Sequence, residues 1–274
     1  IITEVKDCKK AEAGQKVTAN PIFHCGVCSE CQTGQINHCT EVEVLGVVNK
    51  NGAYAEELLL PESMIELLPD KLSYEQGAML EATAVAVRAV EEAGITPGSH
   101  VAIFGAGNIG LLVLQVAQAY GAGEILIIDP IESRLRVAEE LGAQIMMTPD
   151  ELRVQKSNFC NVFNAVIDGV SIEETISFGI EISNMGANIV VYGVPKPDLT
   201  GIPLLDLFKK DMKLITSRLY PRSFKKAVEL MERGMIKVEP MITHRVQLND
   251  FSNLLSRINS GQEKAIKIIV KVKE

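Results

Sequence analysis

The sequence predicts an α/β protein in which a doubly wound parallel sheet adjoins a smaller, mostly β region. Short apolar runs alternate with helical segments between residues 101 and 233. Residues 1–60 are rich in turns with short strand-like runs, and strand-like sequence returns from about Val238. Apolar strands that alternate with helices are typical of crossover units, which cover both faces of a parallel sheet.

The individual elements follow from the apolar pattern and its punctuation by Gly, Pro, Asn and Asp. Residues 1–100 are predicted to form three strands and one helix, Val17–Ala19, Val42–Val48, Tyr54–Leu60 and Glu75–Ala93. The alternating region has the predicted strands Val101–Phe104, Ile125–Ile128, Val162–Ile167, Asn188–Tyr192 and Lys213–Thr216. Its predicted helices are Ile109–Tyr120, Glu132–Leu141, Ser171–Ile182, Leu204–Lys209 and Arg222–Arg233. The predicted domains are residues 1–80, 81–237 and 238–274, the last returning to pack with the first.

Composition excludes several classes of protein. The 274 residues carry a net charge of −8 and no basic stripe, which argues against a nucleic-acid partner. No apolar run reaches the roughly 18 residues that a membrane helix needs, and no secretory signal is present. Four of the six cysteines lie between Cys25 and Cys39, which favours a metal and a reducing, cytoplasmic location over a disulfide scaffold. The chain opens at Ile1 without Met, so we expect a cropped or processed version of a longer protein.

A glycine-rich turn between a strand and a helix predicts a dinucleotide site. The motif G-x-G-x-x-G follows Val101–Phe104 and opens the next helix, and it consists of Gly105, Ala106, Gly107, Asn108, Ile109 and Gly110. Gly105 permits the tight turn, Gly107 lets the backbone approach a pyrophosphate, and Gly110 allows close packing of helix on strand. The free N–H groups of the helix N-terminus can then bind the phosphates.

A carboxylate at the end of the next strand predicts which dinucleotide binds. Asp129 stands 19 residues after Gly110, where it can accept both hydroxyls of the adenosine ribose and would repel a 2′-phosphate. This favours NAD over NADP, although a structural glycine turn with an incidental aspartate gives the same letters. Arg134 can cover the adenosine or be an ordinary solvated helix arginine. Residues after later strands extend the predicted site along the same sheet edge, and they are Gly193, Val194, Ser217 and Arg218. Loop punctuation explains Gly193 almost as well.

Four cysteines within fifteen residues predict a closed metal site. The spacing is C-x2-C-x2-C-x7-C, formed by Cys25, Cys28, Cys31 and Cys39. Four thiolates in a tetrahedron suit Zn²⁺ with every position filled, so such a site braces a loop rather than doing chemistry. Iron–sulfur ligation is the rival interpretation, but a ferredoxin run places Pro after a fourth cysteine, unlike Cys39-Thr40. His24 and His38 flank the cluster and could replace a cysteine. Cys8 and Cys160 are most simply small apolar residues.

The cysteine lobe followed by the glycine-rich turn resembles the zinc-containing medium-chain dehydrogenase/reductase family. Further matching segments are Asn20-Pro21, Leu45-Gly46, residues 52–56, residues 190–193 and residues 242–245. Leu80-Glu81-Ala82 and the ending around Ser217-Arg218 look like its polyol, sugar-acid and threonine dehydrogenase branch. The resemblance implies a GroES-like, mostly β catalytic domain that is interrupted by a Rossmann domain. It also implies zinc-dependent hydride transfer between NAD and a small alcohol substrate.

The resemblance further implies a second, catalytic zinc in the cleft between the domains. Its ligands in relatives are an early Cys, a Gly-His-Glu motif and often a glutamate that matches Glu81. The first two are absent here, which implies missing upstream residues and an inactive 274-residue chain. Glu81 is therefore the single candidate for the catalytic site, as a direct or water-mediated ligand. A carboxylate favoured by the helix N-terminus is the alternative explanation.

Three other functions remain open at this point. L-Threonine dehydrogenase is an alternative within the same family, and a non-catalytic NAD-binding protein is an alternative outside it. A zinc-ribbon nucleic-acid binder is disfavoured by the charge balance. The resemblance also implies a homodimer or homotetramer, with Asn188–Tyr192 and the apolar segment Ile202–Phe208 as candidate contact surfaces.

Overall fold

A computed structural model describes residues 1–47, 51–195 and 199–272. The first part of the chain contains two antiparallel strand pairs followed by a long helix, and the pairs are Val17–Ala19 with Ile65–Leu67 and Ile22–Phe23 with Glu43–Val44. These elements are β1 (Val17–Ala19), β2 (Ile22–Phe23), the single turn α1 (Ser29–Gln32), β3 (Glu43–Val44), β4 (Ile65–Leu67) and α2 (Tyr74–Ala93). The predicted strand Val42–Val48 is thus realised only as β3, and Val48 lies outside the described residues.

The central part of the chain alternates between strands and helices. In chain order the elements are β5 (Val101–Phe104), α3 (Asn108–Ala119), β6 (Ile125–Ile128), α4 (Glu132–Glu140), β7 (Ile145–Met147), α5 (Pro149–Gln155), β8 (Phe163–Asp168), α6 (Glu173–Ile182), β9 (Ser183–Val191), α7 (Leu204–Lys209), β10 (Lys213–Thr216) and α8 (Phe224–Glu232). The last part contains β11 (Ile242–Gln247), α9 (Phe251–Asn259) and β12 (Lys267–Lys271), and β11 pairs in parallel with β12.

The six strands β5–β10 form one parallel sheet in the order β10-β9-β8-β5-β6-β7. The chain starts in the middle of this sheet, winds outward to β7, and then returns to β8 and winds the other way. This is the doubly wound Rossmann topology, and it confirms the predicted fold class. The order reverses between β5 and β8, so a crevice opens at the carboxyl ends of these strands.

Apolar side chains cover both faces of the sheet. One core contains residues of α2, α3, α4 and α8 packed on β5, β6 and β8, and the other contains residues of α5, α6 and α7. The strands β5 and β6 are buried along their whole length, as expected for parallel strands between two helical layers. Across the described residues, no helix combines the length and apolar character needed to cross a bilayer.

Helix α2 links the two regions of the chain. It begins in a capping box, where the Ser73 Oγ accepts from the Gln76 N–H at 3.1 Å and the Gln76 side chain accepts from the Ser73 N–H at 2.8 Å. It ends at Gly94, which adopts the left-handed conformation. The predicted boundary between residues 80 and 81 falls inside this helix and remains a prediction.

Three expectations about the elements were wrong. Tyr54–Leu60 is not a strand, and Leu59 is 97% exposed, because no described strand runs alongside to pair with its backbone. Helix α9 forms where strand-like sequence was expected, since Leu254 and its helical neighbours present one apolar face. Strand β9 lies inside the sheet between β8 and β10, so Asn188–Tyr192 is not an edge available to a second copy.

Candidate coenzyme and metal sites

The glycine-rich turn connects the carboxyl end of β5 to the N-terminus of α3. Gly105 has a φ of +101°, a left-handed conformation that glycine adopts without strain. Gly110 lies so close to the turn that a Cβ there would stand 1.8 Å from the Gly105 carbonyl oxygen. The sequence therefore needs glycine at both positions, one for the turn and one for the contact between helix and turn.

Open space lies over the middle of this turn. Gly107 has an ordinary backbone conformation, and a Cβ built on it would meet no atom within 4 Å. The next side chain, Asn108, has a buried Oδ1 atom without a hydrogen-bond partner. The first N–H groups of α3 have no partners within the helix and are available to an anion. Glycine at position 107 is thus explained by a molecule that approaches the backbone, and these residues fit the pyrophosphate of a dinucleotide.

Asp129 stands at the carboxyl end of β6 and is only 3% exposed. Its Oδ2 atom accepts from the Ala106 N–H at 2.9 Å, and its Oδ1 atom accepts from the Ile131 N–H at 2.8 Å. The Arg134 Nη1 atom lies 3.5 Å from Oδ2. The carboxylate thus connects the glycine-rich turn to the end of the neighbouring strand, a contact that sequence spacing did not predict.

A small apolar cavity lies next to Asp129. It has a volume of about 140 Å³ and is lined by side chains from the ends of β5, β6 and β8, including Phe104, Ile128, Pro130, Val170 and Ile172. A flat aromatic base is compatible with such a lining, because apolar walls favour the removal of its faces from water. The cavity is therefore a candidate place for the adenine base, next to the residues that the motif indicated.

The predicted residues at the far end of the sheet edge differ in their surroundings. A Cβ on Gly193 would stand 2.4 Å from the Ser171 Oγ atom, so glycine there is required by close packing. Val194 is 94% exposed on the adjoining loop. Ser217 directly follows β10, its N–H donates to the Val191 carbonyl at 2.8 Å, and its buried Oγ atom has no partner.

Arg218 contacts the cysteine lobe. Its Nη1 atom donates to the carbonyl oxygen of Asn37, in the cysteine lobe, at 3.2 Å. The sequence placed Arg218 at the coenzyme site because it follows a strand, and the lobe contact was not foreseen. Long-range contacts of this kind leave no periodic signal in a sequence.

The four cysteines of the lobe converge as the spacing predicted. Every pair among the Sγ atoms of Cys25, Cys28, Cys31 and Cys39 lies within 4.8 Å, and the Cys25 and Cys31 sulfurs are 3.9 Å apart. A tetrahedral zinc with Zn–S bonds of about 2.3 Å holds its sulfurs roughly 3.8 Å apart. The donor set and its spacing therefore fit a single zinc ion, and so tight a group leaves no room for an iron–sulfur cluster between the thiolates.

Backbone groups prepare this cluster for a cation. Hydrogen bonds from the Val27 and Cys28 N–H groups lower the pKa of Cys25 to about 7, so its thiolate forms near neutral pH. The Cys25 N–H also lies 3.5 Å from the Cys39 sulfur. Desolvation raises the pKa of Cys31, so binding of a cation releases a proton from that thiol.

Glu81 lies inside α2 in a largely buried polar cluster. Burial raises the pKa of its carboxyl group, while interaction with the Tyr220 hydroxyl and the charge of Lys267 partly offset that effect. Burial lowers the pKa of Lys267, and the charge of Glu81 opposes the change. The Tyr220 side chain is 1% exposed, and its hydroxyl faces Glu81 without a hydrogen bond of normal geometry. The carboxylate of Glu81, on α2, is thus met by Tyr220 from the segment after β10 and by Lys267 from β12.

The sequence had singled out Glu81 but neither of its neighbours. Lys267 is the first residue of β12 and interrupts the apolar run between Ile266 and Ile268, and this break in the pattern was the available signal. Within residues 1–47, 51–195 and 199–272, the four cysteines are the single group of three or more His, Cys, Asp or Glu side chains placed to hold a metal. Glu81 therefore has no described Cys or His partner, and one carboxylate does not make a zinc site. His100 and His244 contact Glu124 and Glu263 instead.

Comparison with known proteins defines the class to which this fold and these sites belong. A family profile for the alcohol dehydrogenase GroES-like domain matches residues 1–70, and a profile for zinc-binding dehydrogenases matches residues 108–233. L-idonate 5-dehydrogenase of Vitis vinifera is 30% identical over 254 residues, which cover 89% of this chain and 69% of that enzyme. The chain belongs to the zinc-containing medium-chain dehydrogenase/reductase family and is a dehydrogenase of the alcohol and polyol class. These matches confirm the resemblance that the sequence motifs indicated.

Two further proteins illustrate this similarity. D-xylulose reductase A of Aspergillus niger is 28% identical over 268 residues, covering 94% of this chain and 74% of that enzyme. A solved structure of a protein of the zinc-binding dehydrogenase type from Sinorhizobium meliloti 1021, bound to NADP, superposes with a TM-score of 0.88 at 27% identity. That match covers 98% of this chain and 79% of the other.

Proposed function

We propose that this protein transfers a hydride between NAD and a secondary alcohol of a polyol, a sugar acid or a similar small metabolite. The observation that carries the proposal is the buried carboxylate of Asp129, held against the glycine-rich turn by the Ala106 N–H at 2.9 Å. The names of the relatives, an L-idonate dehydrogenase and a D-xylulose reductase, support the substrate class. The names of these relatives do not favour L-threonine or a non-catalytic role.

The preference for NAD rests on the charge of the pocket at the adenosine end. A carboxylate accepts ribose hydroxyl protons, whereas a 2′-phosphate next to it meets like charge in a partly buried place. Arg134 is the nearest cation, and its Nη1 atom already lies 3.5 Å from the Asp129 Oδ2 atom. It is therefore committed to that carboxylate rather than free to bind a phosphate. The NADP-bound relative indicates that coenzyme choice varies among similar proteins, so this preference needs its own test.

The chain's own residues would bind and orient the coenzyme. The N–H groups of Asn108 and Ile109 at the start of α3 bind the pyrophosphate, and Gly105, Gly107 and Gly110 let it approach. Gly193, Val194, Ser217 and Arg218 extend the site toward the nicotinamide end of the same sheet edge. When bound, NAD supplies the nicotinamide ring that accepts a hydride from the alcohol carbon.

The two metal roles of the family fall to different residues. Cys25, Cys28, Cys31 and Cys39 would hold a structural zinc that braces the lobe. Glu81 would contribute to the catalytic site as a direct or water-mediated ligand, held in place by its burial beside Tyr220 and Lys267. The described residues do not complete a catalytic zinc site, so we derive no step that runs through one. We expect one zinc ion per 274-residue chain.

Measurements of activity and of metal content together test the proposal. Protein from the complete gene is supplied with NAD and either L-idonate, xylitol, butane-2,3-diol or L-threonine, and NADH formation is followed by its absorbance. We expect oxidation of a polyol or sugar acid, and oxidation of L-threonine alone would refute the substrate class. Elemental analysis of the 274 residues should give one zinc per chain. A content of two zinc ions per chain would contradict our assignment of a single metal site. A content of zero would contradict the proposal that the four cysteines hold zinc.

We propose a homodimer or homotetramer as the assembled state. Strand β10 is an edge of the sheet, and the neighbouring helix α7 exposes Leu204, Leu205 and Phe208. An open strand edge beside exposed apolar side chains favours pairing with a second copy. Light scattering of the purified protein tests this, and Phe208→Glu should shift the mass toward the monomer.

The free thiols of all six cysteines suit a reducing compartment, and we propose the cytoplasm.

A further inference from the structure

We infer that the cysteine lobe, residues 25–39, positions the strand-end segment Ser217–Ser223 through the side chains of Arg218 and Arg222. The strand-end segment follows β10 and lies at the nicotinamide end of the proposed coenzyme site. Arg218 and Arg222 are thereby positioning residues. The inference rests on the proposed occupancy of the four cysteines by zinc.

Both arginines bind the same loop of the lobe. The Arg218 Nη1 atom donates to the Asn37 carbonyl oxygen at 3.2 Å, and the Arg222 Nη2 atom donates to the Thr33 carbonyl oxygen. Both acceptors lie between Cys31 and Cys39, the third and fourth cysteines. Hydrogen bonds from charged donors to carbonyl groups are stronger than neutral ones, so two of them hold the loop and the segment together.

Gly34, at the centre of this loop, is shaped to receive the Arg222 side chain. A Cβ built on Gly34 would stand 2.9 Å from the Nη2 atom, 3.0 Å from Nε and 3.3 Å from Cζ of Arg222. Three atoms of the guanidinium group therefore pack against the glycine backbone. Gly34 also has a φ of +79°, so both the conformation and the contact call for glycine.

The strand-end segment is held on its other side by α2. The Arg88 Nη1 atom donates to the Arg218 carbonyl at 2.6 Å and lies 3.4 Å from the Leu219 carbonyl. Leu219 has a φ of +61°, which is strained for a branched side chain and persists only where neighbours fix the backbone. The next residue is Tyr220, which faces Glu81 on the same helix as Arg88. The segment thus lies between the lobe and the helix that carries Glu81.

Metal in the lobe controls this arrangement through the ends of the loop. Cys31 and Cys39 bound the loop on both sides, so a single ion that joins them fixes the positions of the Thr33 and Asn37 carbonyl groups. Release of the ion frees both ends, and the arginines then lose acceptors at fixed positions. The strained conformation at Leu219 loses part of its support, and we expect the amides of the strand-end segment to open more often.

Hydrogen–deuterium exchange with and without the metal tests the inference. The protein carries Cys8→Ser and Cys160→Ser, so that a mercurial reagent reacts with the lobe alone, and a colorimetric chelator records the zinc released. We expect release to speed the exchange of residues 217–223 roughly ten-fold, with little change in β5 or β6. In a variant with both Arg218→Gln and Arg222→Gln, release of zinc should change the exchange rate of residues 217–223 less than about two-fold. Arg218→Lys and Arg222→Lys should recover part of the effect of zinc release. An unchanged segment in the parent, or a full response in the glutamine variant, overturns the inference.

Two glycine variants test the contact without removing metal. Gly34→Ala and Gly26→Ala place alanine at nearly equal φ values, +79° and +76°, within the same lobe. A Cβ on Gly26 meets nothing within 4 Å, whereas one on Gly34 meets Arg222. Gly34→Ala should therefore speed exchange in residues 217–223 and weaken NADH binding, and Gly26→Ala should do neither. Equal effects of the two variants overturn the inference. Absence of zinc from the purified protein would instead refute the proposed metal content, and the glycine comparison would still test the arginine contact.

Discussion

Replacing Gly110 and Gly107 by alanine, one at a time, should produce opposite defects from the same chemical change. A Cβ on Gly110 would stand 1.8 Å from the Gly105 carbonyl oxygen, more than an ångström inside any normal contact, and its neighbour is backbone that cannot rotate away. The helix and the turn must separate, which costs about 3 kcal/mol as for an overpacked core. For a chain of this size that lowers Tm by on the order of 10 °C.

Gly107→Ala provides the contrast. Gly107 has an ordinary backbone conformation and no atom within 4 Å of the added Cβ, so the free protein should lose less than about 1 kcal/mol of stability. The Cβ nevertheless enters the space through which a pyrophosphate approaches the backbone. We expect NADH affinity to fall at least ten-fold, or about 1.4 kcal/mol.

Thermal unfolding by circular dichroism and fluorescence titration with NADH measure the two effects. A Gly110→Ala protein that melts with the parent would refute the close contact between α3 and the turn. A Gly107→Ala protein that binds NADH with parental affinity would refute the placement of the phosphates over this turn.

Two further predictions concern side chains that hold the framework. Lys210→Met removes an ammonium group that donates to the Ile180, Glu181 and Ser183 carbonyls at the end of α6, at 2.7–3.0 Å, and should cost about 2 kcal/mol in urea unfolding. The control is Lys209→Met, one residue earlier, whose ammonium group has no partner among the described residues, and it should leave the free energy of unfolding unchanged. Equal losses of stability in the two variants would contradict the role of the Lys210 ammonium group. Arg245 donates to both oxygens of Glu75 and lowers the pKa of that carboxyl group. The ion pair therefore stabilises the folded protein fully above the carboxyl pKa of the unfolded chain, about 4.3. This contribution is lost as the pH falls through the lower carboxyl pKa of the folded protein. Stability should therefore fall less steeply between about pH 5 and pH 3 in Glu75→Gln, and a parallel decline would contradict the pairing.

The order of elements in the Rossmann domain could be predicted because its signals are local. Buried parallel strands such as β5 and β6 are continuous apolar runs, and the glycine-rich turn marks the place where strand gives way to helix. The convergence of Cys25 and Cys39 followed from short spacing within one loop. In these cases the residues that interact are close in sequence, so pattern and chemistry coincide.

The remaining features depend on residues far apart in the chain. Arg218 lies 181 residues from the carbonyl it binds, and its position after a strand gave no indication of this contact. Lys267 comes beside Glu81 only because β12 packs near α2. Tyr54–Leu60 is mostly apolar, as a short strand often is. A strand also needs a neighbour for its hydrogen bonds, and a single segment does not reveal whether one exists.

Discrimination between the two coenzymes is the most direct test of the proposed NAD site at Asp129 and the glycine-rich turn. Fluorescence titration of the unmodified protein with NADH and with NADPH measures both affinities under the same conditions. We expect NADH to bind at least ten-fold more tightly than NADPH, and we expect Asp129→Asn to reduce this difference because the repulsion of a 2′-phosphate is removed. If the unmodified protein binds NADPH as tightly as NADH, Asp129 does not select NAD and the proposed site is wrong.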